Sequence, residues 1–336
     1  MRAYELQGQG FDSLAMVERP TPEPGQGQVR VRIRAASLNY RDLLIARGGY
    51  GHGMRQLPLV PLSDGAGEVI DVGVGVTRLK KGDRVAGNFF QKWVDGPFDA
   101  DKGVSALGGA IDGVLAEEVL FEQGGAVKFP DALSYEEAAT LPCAGVTAWV
   151  GLMELGRLAQ NETVLALGTG GVSIFALQIA KSLGARVLLT SSHDEKLARG
   201  EALGADGTIN YMTTPDWDVR ARELTSGRGV DHLLEVGGAA TLATSLRALR
   251  DGGHLTLVGL LGGERADRET AEKNERGIRV DSVYVGSARH FEALNASIER
   301  TGLRPVVDHV FPFEQAPDAY RYLESGRHFG KVVVRV

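Results

Sequence analysis

The stretch Gly168-Thr169-Gly170-Gly171-Val172-Ser173 constrains this chain most. It follows an apolar run, Thr163-Val164-Leu165-Ala166-Leu167, and opens a helix-like run from Ile174 to Leu183. A short buried strand, a glycine turn and a helix start form the arrangement by which α/β proteins hold a pyrophosphate. Gly168 suits the tight turn. Gly170 lets backbone approach phosphate with no Cβ in the way. Ser173 stands where a third glycine is usual, and its small side chain permits close helix–strand packing. The helix N-terminus adds unpaired N–H groups and partial positive charge. In this context Gly168, Thr169, Gly170, Gly171 and Val172 are predicted to contact a dinucleotide.

The flanking pattern agrees. Strands are predicted at Thr163–Leu167, Arg186–Thr190, Gly207–Ile209, Asp231–Val236, His254–Val258 and Arg279–Val285. Helices are predicted between them at Val172–Leu183, Asp194–Leu203, Trp217–Thr225 and Ala240–Leu249, with Gly184, Gly204 and Gly252 as stops. Such alternation implies a doubly wound parallel sheet covered by helices. The region up to about residue 125 reads as all-β instead. Val29–Ala35 alternates apolar and charged residues, and Gly65–Asp71, Asp83–Ala86 and Ala116–Phe121 are further short strands between Gly/Pro turns. Ser134-Tyr135-Glu136-Glu137 carries a capping-box pattern that starts a joining helix. The tail holds a helix, Glu314–Glu324, and a strand, Lys331–Val336, expected to return to the β-rich region. The fold class is therefore α/β. Residues 1–128 with 288–336 form one domain and 129–287 the other.

Composition narrows the function class. The net charge of −6 argues against nucleic acid or a membrane surface as partner. The N-terminus lacks a signal-peptide apolar core, and no run approaches the ~18 apolar residues of a membrane span. The single cysteine, Cys143, rules out an intrachain disulfide and a Cys₄ zinc site. A cytoplasmic protein is expected.

Ser37-Leu38-Asn39-Tyr40-Arg41-Asp42, Asp64-Gly65-Ala66-Gly67-Glu68-Val69, Gly82-Asp83-Arg84-Val85, Leu141 to Ala148, the glycine turn, Ile209-Asn210-Tyr211 and Gly330-Lys331-Val332-Val333 occur in an order that resembles the medium-chain dehydrogenase/reductase superfamily. Within it the chain looks like the zinc-free, quinone oxidoreductase-like branch. The resemblance implies a GroES-like β-rich catalytic domain, a Rossmann domain and an active site in the cleft between them. Asn39 and Ser63 fall where metal-dependent relatives carry their first two zinc ligands, and Cys143 falls at the third. One thiol beside an amide and a hydroxyl is a poor zinc site. The lobe Phe89 to Gly109, where relatives hold a structural zinc, contains no cysteine. No metal is expected.

The second strand of the dinucleotide fold ends Leu188-Leu189-Thr190-Ser191-Ser192-His193, without the acid that reads an NAD ribose. Ser191 and Ser192 leave room for a 2′-phosphate. In NADPH-using relatives, positions resembling Lys196 and Tyr211 contact it, so NADPH is favoured over NADH. Ser192 also reads as a helix cap, with Glu195 completing the box. Gly237, Val258, Gly259, Leu260, Val285, Gly286 and Ser287 follow later strands and are expected to line the cofactor. Lys331 resembles another family cofactor contact.

A metal would supply several kcal/mol of charge stabilisation during hydride transfer. Without one, hydrogen-bond donors worth roughly 3–4 kcal/mol each must hold the developing oxyanion. Asn39, Tyr40 and Thr147 are the candidate donors. Asp42 is either catalytic or half of an ion pair with Arg41. Ser63, Phe89 and Cys143 resemble positions lining the substrate pocket, and Phe90 and Trp93 sit near them. An enone or quinone spreads the incoming charge and asks least of such a clamp. The expected substrate is a small apolar carbonyl compound or quinone. A zinc-independent alcohol dehydrogenase or carbonyl reductase, and a non-catalytic NADPH-binding protein, are the alternatives. Strand Arg279–Val285 resembles the edge used in family homodimers. The charged segment Glu264–Arg279 reads as a flap or a solvated helix.

Overall fold

The computed structural model describes residues 1–50, 55–258 and 276–336. Gly259, Leu260 and most of the charged segment expected as a flap or solvated helix lie outside the described residues.

The chain divides into two compact units, Met1–Val146 with Val285–Val336, and Thr147–Tyr284. The first unit opens with β1 (Arg2–Leu6), β2 (Leu14–Glu18), β3 (Gln28–Leu38), β4 (Asp64–Val72), β5 (Arg84–Gly87), β6 (Glu118–Glu122) and β7 (Ala126–Lys128). The second holds β8 (Thr163–Ala166), β9 (Arg186–Ser191), β10 (Gly207–Asn210), β11 (Val230–Glu235), β12 (Leu249–Val258) and β13 (Arg279–Val283). The chain then returns to the first unit with β14 (Val307–Pro312) and β15 (Lys331–Arg335).

In the first unit β3 is the organising strand. Val29, Val31 and Ile33 are buried, while Arg30 and Arg32 alternate with them and pair across the sheet with Asp71 and Glu118 at 3.4 and 3.3 Å. The strand order is β14-β15-β3-β4-β5-β7, with β6 also on β3. Strand β15 runs antiparallel to β3, so the final strand does return to the β-rich unit. Gly67 is required where β4 crosses β3 at a register shift: a Cβ there would lie 2.0 Å from the Arg32 carbonyl oxygen. The helix Tyr135–Ala138 has the capping box read from Ser134 and Glu137. Arg304 forks onto Glu137 at 2.8 Å through both nitrogens, and Arg335 pairs with Glu136 at 2.8 Å. These contacts assign residues 129–146 to the first unit, whereas the sequence boundary falls at 128/129. An amphipathic helix, Ala288–Thr301, was not anticipated. It buries Phe291, Leu294 and Ile298.

The second unit is a six-stranded parallel sheet in the order β10-β9-β8-β11-β12-β13. This is the doubly wound dinucleotide-binding order. Every residue of β8 is buried, as a central parallel strand requires. Its helices are Gly171–Ser182, Asp194–Ala202, Trp217–Leu224 and Ala239–Ala248, within two residues of expectation. Gly184 and Gly204 have φ of 79° and 99° just past helix ends, as read. Gly252 does not end a helix. It lies inside β12, where Val230 pairs with Leu249 but His232 pairs with His254, so β12 bulges and the helix Ala239–Ala248 runs directly into the strand.

Candidate active site

Ionisable side chains converge in the first unit. The pairing of Val332 with Leu38 sets Lys331, at the head of β15, beside the end of β3. Lys331 is 3% exposed. Its Nζ donates to the Leu38 carbonyl at 2.6 Å and to Asn39 Oδ1, and lies 3.8 Å from Asp64 Oδ2. A lysine ammonium has no acceptor, so the amide oxygen of Asn39 must face it. Asn39 Nδ2 is thereby turned away. It is buried, near enough to Asp64 to help lower that carboxylate, yet not in hydrogen-bond geometry with any acceptor.

Asp64, at the head of β4, is fully buried. Its Oδ1 accepts from Ser63 Oγ at 2.6 Å and its Oδ2 from the Cys143 N–H at 3.1 Å. Burial raises the Asp64 pKa against the pull of Lys331, Ser63, Asn39 and the Cys143 N–H. Asp42, on the helix Tyr40–Ala46, accepts from the Asn39 N–H at 2.7 Å and lies 3.5 Å from Arg41. Burial lifts it to about 6, opposed first by Arg41. Burial, followed by Asp64, drives the Cys143 thiol far up, which keeps it protonated.

Phe89 is buried, with its ring centroid 4.5 Å from the Arg41 guanidinium carbon and 4.6 Å from Phe90. Phe90 and Trp93 both pack on Phe98 at 5.0 Å. Tyr40 stands 52% exposed on the first turn of its helix, unlike the buried Asn39–Asp64–Lys331 cluster. Ser287 caps the helix Ala288–Thr301, accepting from the His290 N–H at 3.3 Å. Val285 is buried with φ 59°, and Gly286 beside it is buried.

In the second unit the glycine turn has the geometry the sequence implied. Gly168 has φ 73°, and nothing lies within 4 Å of where its Cβ would stand. Its N–H donates to Thr190 Oγ1 at 3.0 Å, which ties the turn to β9. Ser173 is buried and donates to the Leu167 carbonyl at 2.6 Å, fixing strand to helix. Gly170 is the N-cap of the helix Gly171–Ser182, Thr169 is buried beside it, and Val172 is half-buried in its first turn. At the end of β9, Ser191 Oγ accepts from the His193 N–H at 3.3 Å and Ser192 Oγ bonds the His193 ring at 2.7 Å. The N-cap is His193, so the expected Ser192–Glu195 box does not form; the imidazole holds the Ser192 hydroxyl. Asp194, the nearest acid, accepts from Asn210 at 2.6 Å. Tyr211 donates its N–H to the Ser191 carbonyl at 3.1 Å and exposes its ring, and Lys196 is half-buried on the helix that follows. Val258 ends β12, and Thr147 is buried in the short helix Val146–Trp149.

Residues 25–131 match the alcohol dehydrogenase GroES-like domain family, and residues 203–334 match the zinc-binding dehydrogenase family. A zinc-type alcohol dehydrogenase-like protein of Schizosaccharomyces pombe is 43% identical over 334 residues, covering 97% of this chain and 96% of that protein. The chain is a medium-chain dehydrogenase/reductase. A 2-methylene-furan-3-one reductase of Solanum lycopersicum is 31% identical over 89% of this chain and 69% of its own length. The crystal structure of a putative alcohol dehydrogenase from Sinorhizobium meliloti superposes with a TM-score of 0.89 at 40% identity, covering 100% of this chain and 98% of that one. The first unit carries the GroES-like domain and the second the dinucleotide-binding Rossmann domain, and the protein is an oxidoreductase of this superfamily.

A medium-chain dehydrogenase with this donor set does not fit a zinc ion, despite the names of its relatives. Asn39 and Ser63 supply an amide oxygen held by an ammonium and a hydroxyl given to Asp64. Cys143 holds its proton, and the Lys331 ammonium already neutralises Asp64. Zinc prefers thiolate, imidazole and free carboxylate. Among the described residues no group of three or more His, Cys, Asp or Glu side chains is placed to hold a metal. The nicotinamide dinucleotide of the superfamily does fit, because the turn leaves open space at Gly168, just ahead of the N-terminus of the helix Gly171–Ser182.

Glu235 was missed in the sequence. It is buried at the end of β11, and its Oε1 accepts from the N–H groups of Gly237 and Gly238 at 2.6 and 3.0 Å and from Thr241 Oγ1 at 2.7 Å. Ser245 bonds its other oxygen. The Gly237 turn is therefore shaped by a carboxylate from within. An acid closing a strand ahead of Gly-Gly was the available signal.

Proposed function

We propose that this chain is an NADPH-dependent reductase that passes hydride to an α,β-unsaturated carbonyl compound or quinone without a catalytic metal. The observation that carries the reading is the oriented Asn39 amide. Lys331 holds its oxygen, which turns Nδ2 away as a donor that lies near Asp64 but has no acceptor in hydrogen-bond geometry. A dinucleotide held at the turn Gly168–Ser173 would supply the hydride that the acceptor takes up. The displaced electron pair moves to the acceptor oxygen, where Asn39 Nδ2 donates to it, and solvent supplies the proton, to carbon for an enone and to oxygen for a quinone. Preset donors of this kind stabilise the oxyanion with no reorganisation during reaction. Ser191 and Ser192 at the end of β9, with no acid at the tip and Asp194 engaged by Asn210, favour the 2′-phosphate of NADPH. Similarity to an enone reductase is consistent with this acceptor class.

We also propose a homodimer. Among the described residues strand β13 lies at the edge of the parallel sheet, and Tyr284 beside it is exposed. An unpaired edge is a natural surface for a second copy. Sedimentation at micromolar concentration tests this; a 35.9 kDa particle would reject it.

A panel of cyclohexenone, a naphthoquinone, a simple ketone and a secondary alcohol, each with NADPH or NADP⁺ and again with NADH or NAD⁺, tests the reaction. Reduction of the enone or quinone with NADPH is expected. Turnover confined to the ketone and alcohol would replace the proposal with a metal-free alcohol dehydrogenase.

A further inference from the structure

Arg41 is a buried guanidinium with three of its five N–H donors lacking a partner in hydrogen-bond geometry. It is 7% exposed. Its carbon lies 4.5 Å from the centroid of Phe89 and 5.0 Å from that of Tyr50, so two aromatic rings pack against it. Nη1 donates to the Leu107 carbonyl at 3.0 Å and lies 3.5 Å from Asp42 Oδ1. Nε and Nη2 are buried and have no partner in hydrogen-bond geometry, although the Tyr50 hydroxyl lies near enough to the guanidinium to favour its charged form. Nε and Nη2 together form one of the two forks of a guanidinium, and that fork matches the two oxygens of a carboxylate. Leaving such a fork empty and buried is unfavourable, and Asp42 already balances the charge from the other side.

We propose that the Nε–Nη2 edge of Arg41 receives a carboxylate of the substrate, so the acceptor is an unsaturated carbonyl compound that also bears an acid group. This rests on the enone-reductase reading for the reaction but not for the binding. Arg41 is then the specificity-determining residue, and Phe89 and Tyr50 hold its plane. The chain therefore departs from the wholly apolar substrate expected from its sequence.

The test uses a matched pair, 4-oxopent-2-enoate and its methyl ester, which carry the same enone. Wild-type kcat/KM is expected to favour the acid at least ~10-fold, the scale of one charge-assisted hydrogen-bonded pair. In Arg41→Met the preference should collapse toward unity through a rise in KM for the acid. Calorimetric titration of the saturated acid 4-oxopentanoate into the NADP⁺-loaded protein reads binding separately. It should bind the wild type and be lost in Arg41→Met. If neither enone is reduced but the saturated acid still binds through Arg41, the reductase reading fails and the anion site stands. Equal wild-type kcat/KM for acid and ester would overturn the site, and that comparison needs no variant to fold. With no turnover, absence of 4-oxopentanoate binding to the wild type would overturn it as well.

Discussion

Replacing Lys331 by methionine isolates the charge on which the first-unit site depends. The ammonium lies 3.8 Å from Asp64 Oδ2 and also donates to Leu38 and Asn39, with Lys331 3% exposed and Asp64 fully buried. Removing one partner of a buried ion pair strands the other, at a cost of roughly 3–5 kcal/mol. For a unit of this size each kcal/mol lowers the melting midpoint by about 2–4 °C, so Lys331→Met should melt roughly 6–20 °C lower near neutral pH. The sign with pH follows from Asp64. Burial already raises its folded pKa, and loss of the cation raises it further. A raised carboxylate contributes stability that is complete below its unfolded pKa and lost as pH rises through the folded value. The deficit of the variant should therefore shrink on acidification. Adding Asp64→Asn removes the stranded charge and should recover at least half the deficit. The assay is thermal denaturation followed by tryptophan fluorescence, with single and double variants compared from acid to neutral pH. A midpoint within about 2 °C of wild type at neutral pH, below the range expected for a buried pair, would refute this electrostatic account.

Other perturbations separate the two units. Gly170→Asp puts a favoured N-cap residue at the start of the helix Gly171–Ser182, so folding should be retained while its charge repels phosphate; calorimetry should show NADPH affinity falling by about two orders of magnitude or more, and unchanged affinity would remove the glycine turn from the cofactor site. Ser191→Asp restores an acid at the end of β9, and the ratio of kcat/KM for NADPH to that for NADH should invert; a preserved NADPH preference would dismiss Ser191 as a determinant. Asp42→Asn should gain stability relative to wild type as pH rises between about 4 and 7, by up to roughly 3 kcal/mol, because burial holds the wild-type carboxyl at about 6. A parallel pair of stability–pH curves over that window would contradict the buried charge at Asp42.

The parallel-sheet unit was legible because each signal was local. Short apolar strands, helix periods and the turn Gly168–Ser173 sit in continuous sequence, and their observed limits fall within two residues of expectation for the helices. Gly252 misled because a glycine after a helix looks alike whether it ends the helix or opens a bulge; only the pairing of β12 with β11 decides. The helix Ala288–Thr301 escaped notice because its capping box uses His290 in place of the usual Glu or Gln. Asn39, Ser63 and Cys143 were read together, as the positions of zinc ligands in metal-dependent relatives, while Asp42 and Lys331 were read apart from them. Their union was not readable, because Lys331 reaches Asn39 across 292 positions through the pairing of β15 with β3. Lys331 was expected as a cofactor contact, and its place inside the Asn39–Asp64 cluster was not foreseen. Arg41 looked like half of a structural ion pair with Asp42. Only the rings of Phe89 and Tyr50 show which edge of it is left over.

Metal content measured together with turnover tests the central claim most directly. Protein purified without chelator should contain far less than one zinc per chain and reduce its enone with NADPH at a rate unchanged by prolonged chelation. One tightly held zinc per chain, whose removal abolishes turnover and whose return restores it, would contradict the account.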